Sequence, residues 1–258
     1  MRALAIVHQP DAGPGVFADA LRDRRVELDC WMRAEAERPP DELERYGAVL
    51  TFGGAMHADQ EDRHPWLREE KALLARLIER GAPLLGVCLG AQLVAEAAGA
   101  EPHRAAEPEI GWYRVELEPE AADDPLLGPL SPGFEAFQWH SYHFPLPPRA
   151  TPLARSQGCL QACRIGERAW AIQFHAEVSA AGADAWISDY RSDEDAVRIG
   201  LDPEAFRAKT RAAIGRWNEL GRGIAERFFA AGASDYIVKS DVAALHAILA
   251  PAYAGRAA

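Results

Sequence analysis

Cysteine is scarce in this sequence, and that scarcity limits the class of protein. The 258 residues include four cysteines, Cys30, Cys88, Cys159 and Cys163, and no C-x-x-C motif. Four thiols in a chain of this length are too few for a disulfide scaffold, and their spacing matches no zinc ribbon or finger. The N-terminal apolar run is too short for a secretory signal. We therefore expect free thiols and a cytoplasmic protein.

Long apolar runs and basic blocks are also missing. No stretch of about 18 apolar residues occurs, so the sequence predicts no membrane-spanning segment. The formal net charge is −11, with both signs mixed along the chain. An acidic surface repels phosphate backbones, so we expect neither nucleic acid nor a membrane as a partner. The pattern G-x-x-x-x-G-K-[ST] is absent, which excludes an ATP-binding loop of that type.

The first half of the sequence alternates short apolar runs with a helical pattern. Residues 2–8, 47–51 and 83–87 are typical of buried strands. Residues 66–80 carry apolar side chains at helical spacing, and Gly81 follows them as a C-terminal cap. This alternation predicts an α/β fold with a mostly parallel central sheet and helices on both of its faces.

The middle of the sequence has a different pattern. Residues 112–117, 134–140 and 169–174 are strand-like runs separated by turns that contain proline and glycine. Their short spacing predicts antiparallel additions to the sheet.

The C-terminal part is predicted to be helical. Asp202 is a good N-cap before Pro203, and Ser240 is the predicted cap of a final short helix. We expect a catalytic domain over residues 1–195 and a helical extension over residues 196–258 that packs on the same domain. A homodimer interface formed by these helices is the alternative.

The clearest local motif is Gly86-Val87-Cys88-Leu89-Gly90, which lies between a predicted strand and a predicted helix. This is the G-x-nucleophile-x-G arrangement of a nucleophile elbow. A sharp strand-to-helix turn has no room for side chains beside the nucleophile, so both flanking positions require glycine. The helix N-terminus favours a thiolate, and its amides face a developing oxyanion. Cys88 is therefore the predicted nucleophile, whereas the other three cysteines are interpreted as small core residues.

A candidate base lies at the end of the strand-like run 169–174. His175 follows that run, and Glu177 is two residues further on. Side chains two residues apart on extended backbone point the same way, so Glu177 can orient the His175 imidazole. A thiol nucleophile needs such a base and orienting partner.

The remaining histidines give weaker indications. His57 and His64 lie in a polar loop and are predicted to be solvated, with a metal site shared with Asp59 and Asp62 as the less favoured alternative. His8 follows the first strand and is a candidate to face the cleft.

Four segments together resemble the class I glutamine amidotransferases, specifically stand-alone members related to the glutaminase domain of GMP synthetase. They are LLGVCLGAQL at 84–93, EIGW at 109–112, FQWH at 137–140 and QFHAEV at 173–178. The resemblance implies a flavodoxin-like three-layer sandwich with antiparallel additions and extra C-terminal helices. It implies no metal and no cofactor.

The resemblance also implies roles for individual residues. Cys88 would attack a γ-glutamyl carbonyl, His175 would transfer protons and Glu177 would orient His175. The backbone amides of Gly54 and Leu89 would form the oxyanion hole. The residues implied in substrate binding are Gln92, His140, Ser141 and Tyr142. Relatives often carry His-Gly-Asp in place of the last three, which leaves the identity of the substrate open.

Several functions remain open. The first interpretation is a stand-alone hydrolase of glutamine or of a γ-glutamyl peptide or amine. The second is a glutaminase subunit that delivers ammonia to a separate synthetase partner. The third is a binding or regulatory protein that keeps the fold without turnover. An α/β-hydrolase with a cysteine elbow is disfavoured because its acid usually precedes its histidine in the chain, whereas Glu177 follows His175.

Overall fold

A computed structural model describes residues 1–35 and 38–232 of the chain. The strands are β1 (Arg2–Val7), β2 (Glu27–Met32), β3 (Ala48–Thr51), β4 (Leu84–Val87), β5 (His103–Leu117), β6 (Gly133–His143), β7 (Thr151–Arg155), β8 (Leu160–Ile165) and β9 (Ala169–Ile172). The helices are α1 (Gly15–Asp23), α2 (Trp66–Glu79), α3 (Leu89–Ala97), α4 (Ala180–Ser188), α5 (Glu194–Arg198) and α6 (Pro203–Gly232), with four short 3-10 turns between elements.

The strands form one sheet in the order β2-β1-β3-β4-β9-β8-β7-β5-β6. The strands from β2 to β9 in this order pair in parallel, and those from β9 to β6 pair antiparallel. The predicted α/β sandwich with antiparallel additions is therefore confirmed. One prediction is wrong: the sequence pattern groups residues 169–174 with the additions, but β9 lies parallel to β4, with Gly86 beside Ala171. β9 lies between β4, which is parallel to it, and β8, which is antiparallel to it.

Each face of the sheet packs against its own helices. Along β1, Ala3 and Ala5 belong to one apolar cluster, and Leu4 and Ile6 belong to the other. The first cluster includes residues of α1, α4 and α6, and the second includes residues of α2 and α3. Alternation of side chains along a strand produces these two cores.

The C-terminal helix begins where the sequence predicts. The Asp202 Oδ1 atom accepts hydrogen bonds from the amides of Glu204 and Ala205, at 3.0 and 3.1 Å. Helix α6 contacts α1 and α4. The helix predicted after Ser240 lies outside the described residues. The division predicted after residue 195 falls within α5 and stays a prediction.

Two features of the structure differ from the sequence interpretation. Strand β7 is not predicted from the sequence. Cys30, interpreted as a core residue, is exposed because it lies on the outer side of the edge strand β2, whereas Cys163 is buried. Among the described residues, no helix is both long and apolar enough to cross a membrane.

Candidate active site

Cys88 occupies the sharp turn between β4 and α3. Its φ is 54° and its ψ is −112°, a backbone conformation that non-glycine residues rarely adopt. A Cβ atom on Gly86 would lie 2.5 Å from the carbonyl oxygen of Gly90, and one on Gly90 would lie 2.1 Å from that of Thr51. Glycine is therefore required on both sides of Cys88, as the elbow motif predicts.

The structure brings the predicted base and its partner to the same place. The Nδ1 atom of His175 lies 2.7 Å from Oε1 of Glu177, and both side chains are buried. His175 and Cys88 line the same cavity and interact electrostatically, and the Cys88 sulfur lies 3.9 Å from the Trp139 carbonyl oxygen. Burial by itself lowers the pKa of His175, but the charges of Glu177 and Cys88 outweigh it and raise that pKa well above its usual value. This arrangement favours a protonated imidazole beside the sulfur.

Helix α6 holds the loop that carries His175. The Trp217 indole Nε1 donates a hydrogen bond to the His175 carbonyl oxygen at 2.9 Å. A Cβ atom on Gly221 would lie 1.9 Å from the carbonyl oxygen of Ala176. The backbone of this loop therefore rests directly on the helix, and glycine at 221 permits the contact.

Helix α1 supports the same loop from a second side. The Val16 amide donates to the Glu177 carbonyl oxygen at 2.8 Å. Gly15 has a φ of +46°, and a Cβ atom there would lie 2.0 Å from that same oxygen. Two helices far apart in the sequence thus fix the backbone of the base and of its orienting partner.

The glycines that follow β3 allow the backbone to lie close to Cys88 and His175, because they carry no side chains. A Cβ atom on Gly53 would lie 3.1 Å from Cε1 of His175 and 3.6 Å from Cβ of Cys88. Gly54 and Leu89, the predicted oxyanion-hole residues, both line the cavity that contains Cys88. Their amides belong to a strand end and to a helix N-terminus, where backbone donors can face a ligand.

The cavity at Cys88 has a volume of about 460 Å³. All four predicted substrate-binding residues line it: Gln92, His140, Ser141 and Tyr142. The Gln92 side-chain amide donates to the Tyr142 carbonyl oxygen at 2.9 Å, and His140 Nδ1 donates to the same oxygen at 3.0 Å. Gln92 and His140 therefore fix the backbone of the 140–142 segment.

One wall of the cavity is not predicted from the sequence. It is formed by residues 186–198, which include the end of α4 and all of α5. The Trp186 ring meets the His175 ring edge-on, with centroids 4.8 Å apart. The Trp139 indole donates to Asp193 Oδ2 at 2.8 Å, which joins this wall to β6. No local sequence pattern indicates these contacts, because they depend on how α4 and α5 fold back over the sheet edge.

His57 also differs from expectation. It is half-buried rather than fully solvated: it lines the cavity, and its ring stacks on Tyr142 with centroids 4.0 Å apart. Burial lowers its pKa, which favours the neutral imidazole.

Within residues 1–35 and 38–232, one group of side chains has metal-ligand atoms within 4.8 Å of one another: Glu109, His140 and Cys159. The Gln161 amide nitrogen donates to Glu109 Oε2 at 2.7 Å and lies 3.2 Å from Cys159 Sγ. An N–H group thus lies among the ligand atoms. Burial raises the pKa of Cys159 to about 12, which keeps its thiol protonated. The group is better suited to a hydrogen-bond network than to a metal, and His57 and its neighbours form no such group in the described ranges.

Comparisons with known proteins point to one family. The family model for class I glutamine amidotransferases matches residues 15–189. The glutamine amidotransferase-like protein YfeJ of Salmonella typhimurium is 28% identical over 192 residues, which cover 72% of this chain and 80% of the relative. One subunit of the glutamine-hydrolyzing GMP synthase of Sulfurisphaera tokodaii is 29% identical, with 55% and 73% covered. A γ-glutamyl-L-1-hydroxyisopropylamide hydrolase of a Pseudomonas species is 30% identical, with 53% and 49% covered.

A solved structure agrees with these matches. The crystal structure of a glutamine amidotransferase from Thermotoga maritima superposes with a TM-score of 0.80 at 30% identity. The match covers 88% of this chain and 97% of the other.

Proposed function

Since the chain belongs to the class I glutamine amidotransferases, we propose that it hydrolyses glutamine or another γ-glutamyl amide through a γ-glutamyl thioester. One observation carries the proposal: Cys88 and His175 lie side by side in one cavity, and Nδ1 of His175 lies 2.7 Å from Oε1 of Glu177. This arrangement supplies a nucleophile, a proton carrier and an orienting carboxylate.

In the first half of the proposed reaction, the Cys88 sulfur attacks the γ-carbonyl carbon. A C–S bond forms, and the carbonyl oxygen becomes an oxyanion that accepts hydrogen bonds from the amides of Gly54 and Leu89. Protonated His175 then donates its proton to the departing nitrogen as the C–N bond breaks. Ammonia or an amine leaves, and a γ-glutamyl thioester remains on Cys88.

Water completes the cycle. Neutral His175 accepts a proton from a water molecule as its oxygen attacks the thioester carbon. The C–S bond breaks, and glutamate is released. The Glu177 carboxylate keeps the proton on Nδ1 of His175 throughout, so that Nε2 is the atom that exchanges protons with sulfur, nitrogen and water.

The wall of the cavity favours a polar leaving group. Asp195 accepts hydrogen bonds from Arg104 at 2.5 Å and from Arg198 at 3.2 Å, and all three residues line the cavity. A polar or charged amine replaces its hydration with such groups at lower cost than a hydrophobic one. The Pseudomonas relative, whose name gives a γ-glutamyl amide of a hydroxylated amine as its substrate, supports this choice.

The test is release of ammonia or amine from glutamine and a panel of γ-glutamyl amides and peptides. We expect Cys88→Ala to lower turnover of the best substrate by at least about 10⁴-fold, because the nucleophile is lost. Cys30→Ala, which changes an exposed thiol, is the matched control and should keep full activity. Undiminished turnover by Cys88→Ala would contradict the proposal.

The similarity to the Sulfurisphaera GMP synthase subunit supports a second candidate, a glutaminase subunit that feeds ammonia to a synthetase. In that case ammonia release should be slow for the chain alone and should rise when the synthetase partner is added. Absence of turnover, of thioester and of Cys88 labelling by an electrophilic glutamine analogue would instead favour a binding protein.

A further inference from the structure

Behind the glycines that follow β3 lies a buried ion pair that the proposed mechanism does not use. His8, directly after β1, and Glu70, on α2, are each 1% exposed. The His8 Nε2 atom lies 3.1 and 3.2 Å from the two carboxylate oxygens of Glu70. Thr51 donates its hydroxyl to Glu70 Oε1 at 2.8 Å. Burying charged groups so completely is costly unless they are paired and hydrogen-bonded, as these two are.

The second ring nitrogen of His8 contacts the backbone of the oxyanion strand, the segment that continues from β3 through Gly54. Nδ1 lies 2.9 Å from the Phe52 carbonyl oxygen and 3.2 Å from the Gly53 carbonyl oxygen. Carbonyl oxygens only accept hydrogen bonds, so Nδ1 must carry a proton. The Glu70 carboxylate likewise requires a proton on Nε2. His8 is therefore a doubly protonated imidazolium that is held between a carboxylate and two backbone carbonyls.

This contact determines the direction of a neighbouring amide. A trans peptide group is planar, and its C=O and N–H bonds point in opposite directions. Because the Gly53 carbonyl points towards His8, the N–H of Gly54 in the same peptide group points away from His8. Gly54 lines the cavity together with Cys88 and Leu89. His8 does not line that cavity, so the direction away from His8 is the one in which this amide can face it.

We propose that His8, fixed by Glu70, is a positioning residue that locks the Gly53–Gly54 peptide so that the Gly54 amide donates to the oxyanion formed on the substrate of Cys88. The inference rests on the proposed cysteine chemistry but not on the γ-glutamyl substrate. Trp66 stacks on the imidazolium, with ring centroids 5.4 Å apart and planes 11° apart, and limits its rotation. Burial lowers the pKa of His8, but the Glu70 carboxylate more than offsets this and raises that pKa, which favours the imidazolium.

The experiment compares two reactions of Cys88 that differ in one respect. Acylation by p-nitrophenyl acetate passes through a tetrahedral oxyanion and requires no glutamyl recognition. Alkylation by iodoacetamide displaces iodide at an sp³ carbon and forms no oxyanion. The variant is His8→Phe combined with Glu70→Gln, which removes the donor without leaving an unpaired buried carboxylate. The nitrophenolate burst and the alkylation rate are measured side by side.

We expect the double variant to lose about 10- to 100-fold in acylation rate, somewhat less than the loss of an entire oxyanion-hole donor. Its alkylation rate should stay within about twofold of the unmodified protein. In Glu70→Gln alone, the glutamine amide can donate to an unprotonated Nε2, so that the neutral His8 ring keeps its proton on Nδ1. The acylation rate of this variant should lie between those of the double variant and the unmodified protein. Tyr46→Phe is the matched control: it removes a hydrogen bond of 2.8 Å to Asp29 elsewhere in the same half of the sheet.

Two results would overturn the inference. One is an acylation rate of the double variant within twofold of the unmodified protein. The other is a parallel fall of acylation and alkylation, which would assign His8 and Glu70 a general structural role. Failure of the proposed γ-glutamyl hydrolysis has a different signature, namely a normal Cys88-dependent burst with p-nitrophenyl acetate but no turnover of any γ-glutamyl compound.

Discussion

The two halves of the reactive centre are built in different ways. Cys88 lies in a five-residue turn whose conformation is set by its own glycines, Gly86 and Gly90, against the adjacent backbone. His175 lies in a loop that is held by contacts with α1 and α6, elements about 160 residues before it and about 40 residues after it. The conformation of the proposed nucleophile is thus encoded locally, whereas the position of the proposed base depends on tertiary structure.

This difference has a consequence for mutations. Substitutions in the helices that contact the His175 loop should displace His175 but should leave the turn at Cys88 intact. At about pH 10 a thiol ionises without a neighbouring base. Alkylation of Cys88 at that pH therefore reports on the elbow alone, and alkylation near neutral pH reports on both halves. The two measurements together separate damage to the base from damage to the elbow.

Among changes to the base and its support, the largest effect is expected from Glu177→Gln, which removes the proposed orienting carboxylate. Turnover should fall by about 100-fold or more, as loss of an orienting carboxylate does in other triads. The Glu177 charge raises the pKa of His175, so its removal should lower that pKa. The alkaline limb of the pH–rate profile should then move to lower pH, while alkylation at about pH 10 is unchanged. Glu167→Gln, at an exposed position, is the control. An unshifted pH–rate profile of Glu177→Gln would contradict the role of Glu177 as the orienting carboxylate.

A smaller effect is expected from Gly221→Ala, which tests the support of the base loop by α6. The new Cβ would lie 1.9 Å from the Ala176 carbonyl oxygen, so the helix or the loop must move. We expect the free energy of unfolding in urea to fall by about 1–3 kcal/mol, a typical cost of overpacking. Alkylation should slow near neutral pH but not at about pH 10.

The same helix offers the control for that experiment. A Cβ atom on Gly215 meets no atom within 4 Å. Gly215→Ala should therefore stabilise the protein by about 0.5–1 kcal/mol through helix propensity alone. Equal behaviour of the two alanine variants would show that α6 does not hold the base loop.

The smallest effect is expected from Trp217→Phe, which removes the indole donor to the His175 carbonyl oxygen. Loss of one buried hydrogen bond should cost about 1 kcal/mol of unfolding free energy. Trp112→Phe is the comparison, since it removes a buried indole hydrogen bond to Thr210, at 3.0 Å, from a ring that packs edge-on against Trp217 but does not bond to the base loop. Both should lose similar stability, but only Trp217→Phe should slow alkylation near neutral pH. Identical alkylation profiles of the two variants would show that Trp217 does not support the position of His175.

The sequence predicted those parts of the molecule that depend on short-range patterns. The parallel strands, the elbow at Cys88 and the start of α6 at Asp202 follow from apolar periodicity, paired glycines and capping chemistry. His175 and Glu177 were predicted as base and orienting partner from their place at a strand end in a chain with a cysteine elbow, and the resemblance, which combines four separated segments, implied the same roles.

The rest depends on contacts between distant residues. His8 and Glu70 are 62 residues apart and become partners only because β1 and α2 flank the end of β3. Strand β7 contains Pro152, which weakens its strand pattern. The cavity wall at residues 186–198 consists of short helical segments whose composition is typical of a protein surface. The sequence of these segments therefore does not indicate that they lie beside Cys88; packing alone places them there.

The order of the sheet separates the reactive centre from the walls around it. The oxyanion strand, the nucleophile and the base follow β3, β4 and β9, which are adjacent and parallel at the middle of the sheet. Most of the surrounding walls come from β5, β6 and the α4–α5 region. Substitution of those outer segments could therefore change which leaving amine the proposed reaction accepts. The three central strands would still hold Gly54, Cys88 and His175 in the same arrangement.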